Sequence, residues 1–278
     1  MHADLLIHNI GQLVTPAGGP RRGPAMRELT IIADAAVAAA DGRIVAVGPS
    51  REVAGRFTAA QTLDAGGRAV IPGFVDPHTH LPWAGHRAAE FEMRIGGATY
   101  MEIMAAGGGI VRTVADTRAA PLAQLVAETR ARLDRMLAHG TTTAEAKTGY
   151  GLNVPDELKQ LDALAELQRT HPVDLVPTFL GAHAVPAEYR ERPDAYVALV
   201  VEEMLPAAAA RWQTLRAAWP DEPAAWPIFC DVFCENGAFD LAQSRRSLAA
   251  AQRLGFGLKI HVDEFAPLGG ALLAVELA

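Results

Sequence analysis

The rhythm of apolar and polar positions changes near residue 69. Before it, apolar runs are short and broken by Gly and Pro, as in "LLIHNIGQLVT" and "AAVAAADGRIVAVGP". In the second run, "DGRIVAVG" sets a turn dipeptide ahead of a strand. Residues 1–68 are therefore expected to form a small β-rich domain. The segment "AVIPGFV" that follows is compactly apolar without alternation, the pattern of a strand buried on both faces.

Strand and helix patterns then alternate to the last residue. "APLAQLVAETRARLDRMLAHG" has helical periodicity with Gly140 as its stop, and "TTTAEAKTGYG" is a strand running into a glycine loop. "VPDELKQLDALAELQRTH" is a helix with Pro155 and acids at its start. The strand "VDLVPTFLGAHAV" precedes the helix "DAYVALVVEEMLPAAAARW", and the strand "PIFCDVFCENGAF" precedes the helix "LAQSRRSLAAAQRLG". "FGLKIHVDEF" is a further strand and "APLGGALLAVELA" opens one more helix.

Such alternation implies a parallel sheet with crossover helices. Three of the strands carry histidine at or near their C-terminal ends: His78 and His80, His183, and His261. In a (β/α)8 barrel those ends converge on the face that holds the active site. A doubly wound sheet also gathers strand ends, but no glycine-rich phosphate fingerprint follows the first strand. The fold class expected is thus α/β, a TIM-like (β/α)8 barrel over residues 69–278. About five strands and the start of a sixth unit are present where a barrel needs eight, so the barrel is expected to be incomplete, a truncated product or part of a longer protein. An open barrel exposes a sheet edge, a surface for a second copy, as in a homodimer, or for a complementing C-terminal fragment.

Composition narrows the function classes. Half of the 278 residues are hydrophobic and 21% are charged, ordinary for a globular chain. The net charge of −7 argues against a general grip on nucleic acid or an anionic membrane. No apolar span is long enough to cross a bilayer, and "MHADLLIHNIGQ" lacks the features of a signal peptide. The two cysteines, Cys230 and Cys234, read as core thiols, and a reducing cytoplasm is the default location.

The H-x-H of "GFVDPHTH" is the strongest chemical signal. Side chains repeat with period two along a strand, so both imidazoles point the same way. With His261 from a later strand they read as a three-histidine metal site, with Asp76 just ahead of the pair. Glu264, three residues beyond His261, is placed to move a proton, and Asp263 is its rival. His2, His8, His86, His139 and His171 lie in termini, loops or helix ends and read mostly as solvated.

With these residues in place, "PGFVDPHTH" after an N-terminal β segment resembles the amidohydrolase superfamily. "AGHRAAEF", "KTGYGL" and "AHAVP" are more specific and are similar to the imidazolonepropionase family. The resemblance runs from about residue 70 to the end. It implies a composite β-sandwich for residues 1–68 and a metal-dependent barrel for the rest. It also implies hydrolysis of the ring amide of 4-imidazolone-5-propanoate to N-formimidoyl-L-glutamate in histidine degradation, with water activated by one Zn2+ or Fe3+ per chain. On that resemblance His78, His80 and His261 are metal ligands, and Arg87, Tyr150 and His183 hold the small-molecule substrate. Glu264 contacts substrate and moves protons, and His183 is its catalytic companion; Lys147 has a supporting role in a one-metal site.

Two features depart from the family. Its later metal and substrate residues lie beyond the last residue here. "AAAARWQTLRAAWPDEPAAWP" also looks longer and richer in Trp and Pro than expected, and reads as a surface insertion. Two other readings stand beside this one: another cyclic amidase or aminohydrolase of the superfamily, or an inactive truncated fragment.

Overall fold

The computed structural model describes residues 1–16, 19–99, 102–103, 107–218 and 227–278. They form two compact units, Met1–Gly73 and Phe74–Ala278.

The first unit is one five-stranded sheet: β1 (His2–Thr15), β2 (Thr30–Ala40), β3 (Arg43–Pro49), β4 (Thr58–Asp64) and β5 (Ala69–Val70). The order is β3-β2-β1-β4, with β5 also on β1. Asp41 and Gly42 turn β2 into β3, both at positive φ (51° and 69°), as a tight hairpin requires. Apolar residues cover both faces. Ala3, Leu6, Ala36 and Ala38 pack with Val53 and Phe57, while Ile10, Leu13, Ala35 and Val37 pack together. The unit ends five residues later than the sequence pattern suggests, because Ala69 and Val70 pair with β1 rather than joining the second sheet.

The second unit is built on β6 (Phe74–Asp76), β7 (Thr141–Lys147), β8 (Asp174–Ala182), β9 (Phe229–Cys234), β10 (Gly257–Leu258) and β11 (His261–Val262). Every pairing among them is parallel, in sequential order. Strands added one after another in one direction, each followed by a helix, make a curled half-barrel rather than a doubly wound sheet. β10 and β11 are two pieces of one barrel strand, both on β9, so the described residues hold five barrel strands, as expected.

The run "AVIPGFV" is not one buried strand. Pro72 and Gly73 break it, leaving β5 in one sheet and β6 in the other. β6 pairs only with β7 among the described strands, and Phe74 and Val75 are 54% and 65% exposed.

The helices read from periodicity are present, among them α1 (Leu122–Ala138), α2 (Val154–Thr170), α3 (Leu241–Arg253) and α4 (Gly270–Leu277), while Ala88–Ile95 and Ile110–Ala119 are helices that the pattern does not predict. Asn153 caps α2 by accepting from the amide of Asp156, and Asp240 and Gln243 form a capping box on α3. The segment read as an insertion begins as a helix, Leu205–Ala217, that places Leu205 and Ala208 in the main core and buries Trp212. That half is structural, since its apolar face is covered; residues 219–226 of the segment lie outside the described residues. Cys230 and Cys234 are buried free thiols. His171 is buried rather than solvated: at the C-terminal cap of α2, its Nε2 lies 3.2 Å from Asp134 and its Nδ1 accepts the Val173 amide at 3.1 Å. No described helix is long and apolar enough to cross a membrane.

Candidate metal centre

β6 ends at Asp76, so His78 and His80 stand just past the strand, not on it. The extended path continues nonetheless: Thr79 accepts at its carbonyl from the Lys147 amide (2.9 Å) and donates its hydroxyl to the Glu145 carbonyl. Asp76 accepts from the His78 amide at 3.2 Å. Both imidazoles therefore reach the strand ends, where β11 delivers His261. One nitrogen from each of His78, His80 and His261 lies within 4.8 Å of the others. The ring centroids of His78 and His261 are 4.6 Å apart, and those of His80 and His261 are 5.5 Å apart.

The residues present fit a metal ion. Nδ1 of His80 is buried without a hydrogen-bond partner, a vacancy that a coordinate bond would satisfy. Burial, followed by the nearby His183 and His261, holds the His80 imidazolium down to about 2, and burial likewise lowers His78. Both rings stay neutral at pH 7, as ligands must. Three imidazoles are a donor set suited to Zn or Fe.

His183 follows β8 directly and does not join the three-histidine group. It stacks on His80 at 5.0 Å and meets Tyr150 edge-on at 5.1 Å. Its Nδ1 lies 2.9 Å from the Gly149 carbonyl, an acceptor, so Nδ1 carries the proton. Burial lowers its pKa to about 4, so Nε2 of the neutral ring is left as an acceptor. Gly149, at φ +105°, is needed here: a Cβ would sit 2.9 Å from His183 Nδ1 and 2.9 Å from the Leu180 carbonyl oxygen.

The loop bearing Tyr150 is held by two buried side chains of α2, Glu157 and Gln160, the latter accepting the amides of Tyr150 and Gly151 at 3.3 and 3.0 Å. Glu157 of α2 accepts the amides of Gly149, Gly151 and Leu152 at 3.0, 2.8 and 2.9 Å. Burial raises its pKa despite those donors. Burial also raises the Tyr150 phenol, partly offset by the charges of Arg87 and Arg132. The loop after His80 is fixed by Arg132, which donates to the carbonyls of Leu81 and Trp83 and lies 3.5 Å over the Trp83 ring. Arg87 follows that loop, half-exposed, 4.0 Å from Glu90.

Glu264 and Asp263 are both exposed after β11, and Asp263 has a positive φ of 57°. The loop is tied from below by Glu235, a buried carboxylate that accepts the amides of Phe265 and Ala266 at 2.8 and 3.2 Å.

Sequence reasoning missed Glu157, Glu235, Glu145 and Asp231. The last two form a buried network with Lys147, whose ammonium lies 2.9 Å from Glu145 and 2.6 Å from Asp231. Asp231 Oδ2 is also 2.9 Å from His261 Nδ1. Their signal was legible: charges set two apart in the apolar strand "TTTAEAK", and one acid inside "FCDVFC". Buried charges in strands are rare unless paired.

No family model matches the chain. Among curated proteins it is 60% identical over 276 residues to an imidazolonepropionase of Herpetosiphon aurantiacus, covering 99% of this chain and 63% of that one. The imidazolonepropionase of Symbiobacterium thermophilum is 56% identical over 277 residues, covering 99% of this chain and 62% of that one. The fold matches a guanine deaminase from Bradyrhizobium japonicum with a TM-score of 0.55 at 20% identity, covering 94% of this chain and 50% of that one. An adenosine deaminase from Xanthomonas campestris with bound zinc gives a TM-score of 0.53 at 20% identity, covering 99% of this chain and 55% of that one. The fold is a partial barrel like those of these two deaminases, and by sequence the chain is similar to imidazolonepropionases, of whose length it spans about 63%.

Proposed function

We propose that these residues carry the metal-binding part of an imidazolonepropionase site, one that hydrolyses the ring amide of 4-imidazolone-5-propanoate to N-formimidoyl-L-glutamate. The observation that carries this reading is the meeting of His78, His80 and His261, with His183 and Tyr150 packed beside them. When bound, a single Zn2+ or Fe3+ supplies Lewis acidity that polarises a carbonyl and makes water nucleophilic near neutral pH.

The chain's own residues supply the rest. Arg87 offers a planar fork that pairs with the substrate's propionate. Its exposed position and weak contact with Glu90 leave it free to do so. His183, with its proton committed to the Gly149 carbonyl, accepts an N–H of the substrate ring rather than donating to its carbonyl. Tyr150 stays protonated and donates its hydroxyl. Glu264 takes the proton of the attacking water and returns it to the leaving nitrogen. Two buried thiols accord with a reducing cytoplasm.

The test is turnover. The purified chain, and the chain fused to the remaining C-terminal part of the Herpetosiphon relative, are stripped with chelator, reloaded with Zn2+ or Fe2+/Fe3+, and given imidazolonepropanoate, guanine and cytosine. Hydrolysis of the first alone is expected from the fused protein. Deamination of either base without hydrolysis of imidazolonepropanoate would replace this reading with that of an aminohydrolase.

A further inference from the structure

The chemistry above uses none of the charges buried next to the histidines. Glu145 and Lys147 are alternate residues of β7, so both side chains face the same side of the sheet. Asp231 lies two strands along, on β9. Glu145, Lys147 and Asp231 are between 1% and 3% exposed. Glu145 Oε1 gathers Lys147 Nζ at 2.9 Å, Lys259 Nζ at 2.8 Å and the Thr178 hydroxyl at 2.5 Å. Asp231 Oδ1 accepts the Val232 amide at 2.8 Å, while Oδ2 stands between Lys147 Nζ at 2.6 Å and His261 Nδ1 at 2.9 Å.

We propose that Asp231 is a positioning residue for His261, and that Lys147, braced by Glu145, fixes Asp231 in turn. The inference rests on the reading of His261 as a metal ligand. Two acids, Glu145 and Asp231, already balance two bases, Lys147 and Lys259, so His261 is not needed to balance charge. It is nonetheless brought within ion-pair distance of Oδ2, although the contact is not aligned as a hydrogen bond. A carboxylate facing one ring nitrogen selects the tautomer and leaves the other nitrogen to the ion. The order along the sheet supports this role. Glu145 and Lys147 come from β7, Thr178 from β8, Asp231 from β9, and His261 from the fifth barrel strand. The chain of contacts therefore links the neighbouring strands that frame the site. A carboxylate held by a buried ammonium cannot follow the ring if it turns.

The test measures ion binding, not turnover. Zn2+ affinity is read by competition with a chromophoric chelator, and the ligand set by the visible spectrum of the Co2+ form. Thermal melting of the metal-free protein checks the fold. Asp231→Asn should weaken Zn2+ binding by about 10–100-fold, the usual effect of losing such a partner, with stoichiometry and Co2+ ligand pattern kept. Lys147→Met should weaken it as well. The double variant should bind within about threefold of Asp231→Asn alone, because Lys147 acts only through Asp231. The double variant removes one charge of each sign, so it carries the test if Asp231→Asn does not fold. Unchanged affinity in a folded variant lacking Asp231 would overturn the proposal, as would loss of a ligand from the Co2+ spectrum, which would make Asp231 a ligand itself. If the wild-type chain binds no ion while folded, the metal-site reading falls too. Normal wild-type binding with an indifferent Asp231→Asn sinks this inference alone.

Discussion

Gly149→Ala probes how closely the loop carrying Tyr150 is fitted to His183. The backbone there has φ +105°, which costs an L-residue about 1–3 kcal/mol. The new methyl would lie 2.9 Å from the Leu180 carbonyl oxygen, in β8, and 2.9 Å from His183 Nδ1. Strand backbone is the stiffer neighbour, so His183 must move and its bond to the Gly149 carbonyl is lost, a further ~0.5–1.5 kcal/mol. Residual crowding adds about 1 kcal/mol. The expected destabilisation is about 2.5–5.5 kcal/mol by urea unfolding at neutral pH. Gly237→Ala is the control: its φ is +83°, yet a Cβ there meets nothing within 4 Å. That variant should lose only the backbone part, ~1–3 kcal/mol. Equal losses in the two variants would refute the close fit, and with it the claim that His183 is held by this loop.

Further outcomes follow from the same geometry. Burial depresses the folded-state pKa of His183 from 6.5 to about 4 and of His80 to about 2. Their contribution is therefore complete above pH 6.5 and is lost as the pH falls through the folded values. The metal-free protein should weaken steadily below about pH 6.5, by roughly 3 kcal/mol for His183 alone at pH 4. His183→Gln should flatten urea midpoints across that range, and an unchanged slope would count against neutral burial. In the fused, longer protein, Glu264→Gln should keep the metal and lose about 10²–10⁴-fold in turnover. If Asp263→Asn is crippled instead, the wrong carboxylate was chosen. The 278-residue chain alone should turn over imidazolonepropanoate at least ~10³-fold more slowly than the fused protein, because barrel sites draw on several strand ends and small displacements are costly. Normal turnover by a soluble monomer of this chain would contradict that.

Most of the scaffold was legible because strand and helix periods differ and the alternation is regular. The histidines were legible too, since H-x-H at a strand end has few structural uses. What escaped detection has physical causes. β6 is three residues long and split from β5, so the apolar run did not report that Phe74 and Val75 stay exposed. "AVIPGFV" hid the domain boundary because Pro72 and Gly73 break pairing without interrupting hydropathy. Glu157 and Glu235 are acids whose partners are backbone amides of distant loops, and side-chain spacing does not encode such bonds. Asp231 and Lys147 meet only when β7 and β9 lie on either side of β8, a contact between residues 84 apart. The burial of His171, one of five histidines expected to be mostly solvated, is not legible either, because a helix-end position says nothing of what lies over it.

The three-histidine site is tested most directly by the metal content of the chain itself. Chelator-stripped protein is titrated with Zn2+, and bound metal is counted by atomic emission after gel filtration. One ion per chain is expected for the wild type. His78→Ala, His80→Ala and His261→Ala should each abolish stoichiometric binding while remaining folded, since two imidazoles do not hold a divalent ion in the same geometry. Full occupancy in any one of the three would contradict the assignment.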